Sequence, residues 1–308
     1  MMRIRVAALI LAVVAGPLLA SPAAAVHAGD SRCSYGDGTV RLHLAAEHVV
    51  RLLVVEGEIR YADLTDYSRR GQCGRARVGN TDRIIVTEDQ AGRSRLQFDQ
   101  QIGRFGPGDT PEASGRSEIE VRLGTLTDIW IMGRPGGEQI TAGRRGVNLN
   151  GDGDVDLVGT ELTDVSVFLS GGDDHFSGQG GAGTGEPFRT RRWGLIAYGG
   201  EGADVLIGSN RGDILDGDWG RDRVRGGPGA DDVDGGDQED VLFAGSGRDL
   251  VTGGNAADRL EAGRHADTLF ANDNVADAID GGAGHDVAFT DSNDPQPERV
   301  EDRRYGDP

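Results

Sequence analysis

The sequence predicts an all-β chain: a parallel β-roll or β-helix solenoid with two nonapeptide half-turns per coil, capped on its N-terminal side by a disulfide-bonded β region. Three observations carry this. Between positions 199 and 290 an Asp, followed two places later by an apolar residue, recurs every nine residues. Glycine supplies 51 of the 308 residues, which suits a chain dense in turns. Hydrophobic residues make up 37% and aromatic residues 5%, too little for a thick globular core but enough for a thin one.

The Asp/apolar series runs Asp204/Leu206, Asp213/Leu215, Asp222/Val224, Asp231/Val233, Asp240/Leu242, Asp249/Val251, Asp258/Leu260 and Asp267/Leu269. After one extra residue come Asp277/Ile279 and Asp286/Ala288. In each repeat a Gly-rich hexapeptide makes a tight turn, because Gly reaches positive φ without a Cβ clash. The other three residues make a minimal strand whose middle side chain points inward. Two repeats close one flattened coil of eighteen residues. Asp204, Asp222, Asp240 and Asp258 therefore stack on one edge, and Asp213, Asp231, Asp249 and Asp267 on the other.

The hexapeptide pattern G-G-x-G-x-D is complete at 199–204, 226–231 and 281–286, and the fourth-position Gly is kept as Gly220 and Gly247 in two more turns. That position is Arg211, Gln238, Ala256 and His265 in four others. This stretch resembles the hemolysin-type (RTX) calcium-binding repeat family, strongly over 199–290 and weakly over 117–198. The resemblance implies that Ca2+ lies between stacked turns, held by Asp carboxylates and turn carbonyls. The metal-site residues it implies are Asp204, Asp222, Asp231, Asp249, Asp213, Asp240, Asp258 and Asp267, with Gly200, Gly202, Gly227 and Gly229 in the turns. The pairs Asp204/Asp222 and Asp231/Asp249 are expected to fill first. The alternative for any one Asp is a cap that merely bonds the turn backbone.

From the start of the chain, residues 1–28 read as a secretory signal peptide. Arg3 and Arg5 precede the apolar run Val6–Ala15, Gly16-Pro17 breaks it, and Ala23-Ala24-Ala25 or Val26-His27-Ala28 offers a small-residue cleavage site. No later run reaches the ~20 apolar residues of a membrane helix. The expected location is therefore secreted, extracellular, without a transmembrane segment. Cys33 and Cys73 are the only cysteines, and an oxidising compartment favours a disulfide between them. Residues 29–115 read as an N-terminal β region or cap, with strand-like runs at Val40–Leu44, His48–Gly57, Glu58–Tyr61, Thr81–Thr87 and Ser94–Asp99.

Residues 116–198 read as calcium-poor coil. A weaker nine-residue beat passes through Ile131, Ile140, Leu149, Val158, Val167 and Phe176. A Gly-rich insertion at 178–192 interrupts it as a flexible loop, followed by the cluster Arg189, Arg191, Arg192 and Trp193. The calcium-rich roll occupies 199–290, and 291–308 is a tail that either folds over the end or is disordered.

Every basic residue is Arg, and the net charge of −19 argues against nucleic acid and anionic membrane as partners. Asn148–Gly159 carries oxygen donors at EF-hand spacing but has Gly159 where a bidentate Glu is needed, so a polar turn is the preferred reading. Asp173-Asp174-His175 reads as a degenerate repeat with Phe176 inward rather than a carboxylate/His pair. No HExxH or GxSxG motif is present. The function expected is a secreted calcium-binding protein of structural or adhesive role, monomeric, with cell-surface polysaccharide or protein as candidate partners. The alternative is a carbohydrate-active β-helix enzyme of lyase or epimerase type. The family's toxins and proteases generally lack an N-terminal leader and carry an active domain ahead of the repeats. Here the leader is present and no active domain is recognisable, so neither toxin activity nor their export route carries over.

Overall fold

The computed structural model describes residues 31–66, 70–77, 81, 83–88, 94–100, 120–123, 128–150, 155–159, 162, 164–181, 184–188 and 194–305. Two sheets of 13 strands each face one another across a thin core. The chain begins with β1 (Arg32–Gly36), β2 (Thr39–Leu44), β3 (Val49–Val55), β4 (Glu58–Asp63) and β5 (Arg70–Arg77). Coiling proper starts at β2 and β3, which pair in parallel with β6 (Arg83–Glu88) and β7 (Arg95–Asp99). Among the described residues of 29–115, the antiparallel part is the piece that ends the coil. It consists of β1, folded antiparallel onto β2, and the antiparallel pair β4 and β5, added to β3. β1 and β5 end the two sheets, and the Cys33–Cys73 disulfide ties them together.

Closing one end of a solenoid protects the last hydrophobic layer and removes open edges. The two cysteines are 40 residues apart, so the chain-entropy model gives the crosslink about 4 kcal/mol. Reducing it, or making Cys33→Ala with Cys73→Ala, is expected to lower the denaturant midpoint by that equivalent. Unchanged unfolding of the reduced protein would show that the cap does not depend on the bond.

The next coil pairs β8 (Glu120–Leu123) with β6 and β9 (Asp128–Met132) with β7. There the nine-residue beat breaks. β10 (Gln139–Gly143), β11 (Gly146–Asn148) and β12 (Leu157–Val158) form an antiparallel meander within the first sheet, with β12 parallel to β8. Ile131, Ile140, Val167 and Phe176 point inward as expected. Leu149 is buried too but lies in no strand of the coil, and Leu157 takes the buried place instead of Val158. The physical reason is that Gly143 to Gly146 closes a hairpin, which the apolar beat cannot reveal.

Beyond β13 (Asp164–Phe168) and β14 (His175–Ser177), the 178–192 insertion is not a free loop where it is described. The amides of Arg144 and Arg145 donate to the carbonyls of Glu186 and Thr184, and Phe188 is buried.

Regular coiling then follows through β15 (Leu195–Glu201), β16 (Val205–Ile207), β17 (Ile214–Trp219), β18 (Arg223–Pro228), β19 (Asp232–Asp237), β20 (Val241–Ser246), β21 (Leu250–Asn255), β22 (Arg259–Arg264), β23 (Thr268–Ala271), β24 (Ala278–Ala283) and β25 (Val287–Thr290). Even-numbered strands join the first sheet and odd-numbered strands the second. Register is set by the apolar positions: Leu206, Val224, Leu242, Leu260 and Ile279 stack in one sheet, Leu215, Val233, Val251, Leu269 and Ala288 in the other. All ten are buried. A one-residue slip would send every one of them to the solvent face.

The described part of the tail lies on the end of the roll as one more layer. β26 (Asp302–Tyr305) adds a further parallel strand to β25, and Glu298 bridges to Asp280.

Candidate metal centre

Each strand of the roll is entered through an Asp at the sixth place of its turn. That Asp is buried at every layer from Asp204 to Asp286. Except at Asp213, its Oδ1 accepts a hydrogen bond from the backbone amide of the Asp one layer earlier. On the first edge the amides of Asp204, Asp222, Asp240 and Asp258 donate to Asp222, Asp240, Asp258 and Asp277 over 2.7 to 2.8 Å. On the second edge those of Asp213, Asp231, Asp249 and Asp267 donate to Asp231, Asp249, Asp267 and Asp286 over 2.8 to 2.9 Å. The carboxylates form two continuous ladders.

The other oxygen tells more. Among the described residues, Oδ2 of Asp174, Asp204, Asp222, Asp231, Asp240, Asp249, Asp258, Asp267 and Asp286 is buried and has no hydrogen-bond partner. An unpartnered buried carboxylate oxygen is costly and calls for an explanation. For Asp204, Asp222, Asp231, Asp240, Asp258 and Asp286 it lies beside the first glycine of the turn, in space a side chain would otherwise fill. A Cβ on Gly199 would come within 2.4 Å of Asp204 Oδ2 and 2.6 Å of the Gly217 carbonyl oxygen of the next layer. The same pair of oxygens brackets Gly226, at 2.5 Å from Asp231 Oδ2 and 2.6 Å from the Ala244 carbonyl.

This donor set is all oxygen, charged and main-chain together, which is the chemistry a hard cation such as calcium selects. Among the described residues no three His, Cys, Asp or Glu side chains converge on one point, so turn carbonyls must complete any site. The residues fit calcium on that basis. The chemistry the ion supplies is charge: it neutralises carboxylates taken out of water.

Electrostatics agree. Burial is the chief cause that raises the carboxyls of the ladder above their usual range, and neighbouring carboxylates add to it. The amide bonds to Oδ1 pull the other way without prevailing.

All eight aspartates named from the sequence lie on the ladders. Gly200, Gly202, Gly227 and Gly229 lie in the turns at φ of 99°, 146°, 107° and 155°, where a side chain is disfavoured. Asp174 is also a rung, receiving the Glu138 amide and donating to Asp204, with Phe176 buried behind it. Sequence spacing concealed Asp174 and Glu138, since the insertion and the meander lengthen the intervals to 30 and 36 residues. The signal was present as Gly133-Arg-Pro-Gly-Gly-Glu138, a Gly-rich turn ending in an acid. Asp294 and Glu301 continue the ladders into the tail, accepting from the amides of Asp277 and Asp286. The cluster Arg189–Trp193, Gly151–Asp154 of the EF-hand-like stretch and residues 1–28 lie outside the described residues.

The comparisons bear on the same stretch. A family model described as the RTX calcium-binding nonapeptide repeat (4 copies) matches residues 198–233, 234–269 and 252–288. No curated protein matches the chain. The roll spanning 198–288 is therefore a run of RTX calcium-binding nonapeptide repeats.

Proposed function

We propose that the chain is a secreted, calcium-ordered β-roll protein with a structural or adhesive role. The ions lie between stacked turns, held by Asp204, Asp222, Asp231, Asp240, Asp249, Asp258 and Asp267 with the turn carbonyls. The observation that carries this is the row of buried Oδ2 atoms without partners on Asp204, Asp222, Asp231, Asp240, Asp249, Asp258 and Asp267. Because the ligand binds the folded coil and not the open chain, binding adds directly to stability. The affinity expected for an extracellular module of this kind is on the order of 10⁻⁴–10⁻³ M.

Secretion rests on the leader-like residues 1–28 and on the disulfide, which belongs to an oxidising compartment. We assign 29–115 to the cap and first coils, 116–198 to metal-poor coil, 199–290 to the calcium roll and 291–308 to its closing segment. An adhesive role would use the outer face of the second sheet. There the half-buried Trp130, Phe168 and Tyr198 touch ring to ring, a surface suited to polysaccharide or protein.

Circular dichroism during a calcium titration tests the reading, with Asp240→Asn as its control. Wild type is expected to gain β-structure as calcium is added. The Asn variant removes a buried charge, so its calcium-free form at pH 8 is expected to be more ordered than wild type and its response to calcium weaker. Full β content in chelator, with no change on adding calcium, would refute ion-driven order.

A further inference from the structure

One rung of the roll differs from its neighbours Asp204, Asp222 and Asp231. Asp213 is as buried as its neighbours, yet both of its carboxylate oxygens are bonded within the chain. Oδ1 accepts from the Leu195 amide at 2.6 Å and the Ser209 hydroxyl at 2.9 Å, and Oδ2 accepts from the Ser209 amide at 2.5 Å. The carbonyls of the same turn are taken as well. The side-chain amide of Gln179 donates to the Gly208 and Ser209 oxygens at 2.6 and 3.0 Å. Gln179 lies two residues past the end of β14 and stands where a preceding turn on this edge would lie. Its nitrogen is 3.7 Å from the place of a Cβ on Gly227, in the next layer of turns.

We infer that Gln179 and Ser209 are a built-in substitute for a metal ion, so that the turn 208–213 takes no calcium and ends the series upstream on the second edge. The inference rests on the calcium reading above. Asp213 Oδ2 and the Gly226 carbonyl face Gly208 as the corresponding pairs face Gly199 and Gly226, but here Oδ2 already accepts the Ser209 amide. The Gln179 amide also occupies the Gly208 and Ser209 carbonyls, and the buried Ser209 hydroxyl occupies Oδ1 and cannot be displaced without leaving a buried polar group unpaired.

The first edge ends in a comparable way with different residues. Glu138 occupies the rung, and its fully buried carboxylate accepts from the backbone amide and Nε of Arg134, both at 2.9 Å. A guanidinium stands there in place of the cation. Both ladders therefore begin on donors supplied by the chain, and the calcium-dependent layers grow from a border that is already closed.

Residue-resolved amide hydrogen exchange on the full chain, in chelator and in excess calcium, tests this. The amides of Leu195 and Ser209 are expected to be equally protected in both. Those of Asp222, Asp240 and Asp249 are expected to gain at least tenfold protection with calcium. If Leu195 and Ser209 respond as strongly as the others, the substitute does not exist while the calcium reading survives. If no amide responds, both are overturned. The variant Gln179→Glu keeps the side chain's shape but cannot donate to the two carbonyls. In it, protection of Leu195 and Ser209 in chelator is expected to fall at least tenfold and to return with calcium. Protection unchanged from wild type, in a variant that keeps its β-structure, would also overturn the inference.

Discussion

In the absence of calcium, the roll is expected to keep its β-structure at pH 5 and to lose it as the pH rises to 8, the reverse of ordinary acid denaturation. Burial raises Asp231 and Asp240 to about 8, Asp174, Asp222, Asp258 and Asp277 to about 7, and Asp204, Asp213 and Asp267 to about 6. In the unfolded chain each would titrate near 3.8. Between about pH 4 and 8 the folded chain therefore binds more protons than the unfolded one, and stability must fall as pH rises. It is fully present below the unfolded value and lost through the folded values, from 6 to 8. Calcium reverses the trend, because it requires the charged form and displaces those protons. Its affinity is expected to rise about tenfold per pH unit for each proton released per ion. Far-ultraviolet circular dichroism across this range, on protein stripped of metal and then with calcium restored, gives the measurement. A metal-free β signal that is flat, or that grows with pH, would contradict the burial of charge on which the site depends.

The same residues explain how much could be read before any coordinates. The period of nine forces the fold, because a hexapeptide turn and a three-residue strand leave one inward side chain per half-turn. Leu206, Val224 and Leu242 could be assigned to one sheet and Leu215, Val233 and Val251 to the other by counting alone. The ladder aspartates were legible for the same reason. Counting failed wherever a segment of different periodicity was inserted. The β10–β12 meander displaced the beat, so Leu149 and Val158 were assigned to half-turns that do not exist. The insertion after Ser177 hid the link from Asp174 to Asp204. Gln179 and Ser209 carry no motif at all, since their role lies in what they reach across layers. The tail was obscure because Asp294 and Glu301 stand 17 and 15 residues from their partners instead of eighteen, without flanking glycines to mark the turn.

The fourth residue of each turn separates two kinds of layer, and replacing a glycine there should have the largest effect of any methyl-sized change. Gly220 and Gly247 have φ of 150° and 156°, and an added Cβ would come within 1.4 and 1.3 Å of the carbonyl oxygens of Gly202 and Gly229 in the preceding layer. Those neighbours are backbone and cannot swing aside. At Gln238, Ala256 and His265 the same place in the turn has φ of 79°, 92° and 81°, so these layers have turned the backbone to admit a side chain. Gly220→Ala and Gly247→Ala must either force the stack apart or drag one turn into the other form. Backbone strain and overpacking together put the cost at about 3 kcal/mol each. Ala256→Gly relieves a strained residue while loosening the unfolded chain, and its net effect is expected to stay within about 1 kcal/mol. The two glycines flank the Asp204/Asp222 and Asp231/Asp249 levels, so the alanine variants should also bind calcium more weakly there. Denaturant unfolding in saturating calcium measures the difference. Equal costs for Gly220→Ala and Ala256→Gly would mean that the carbonyl stack yields easily and that close approach between layers does not hold the turns in place.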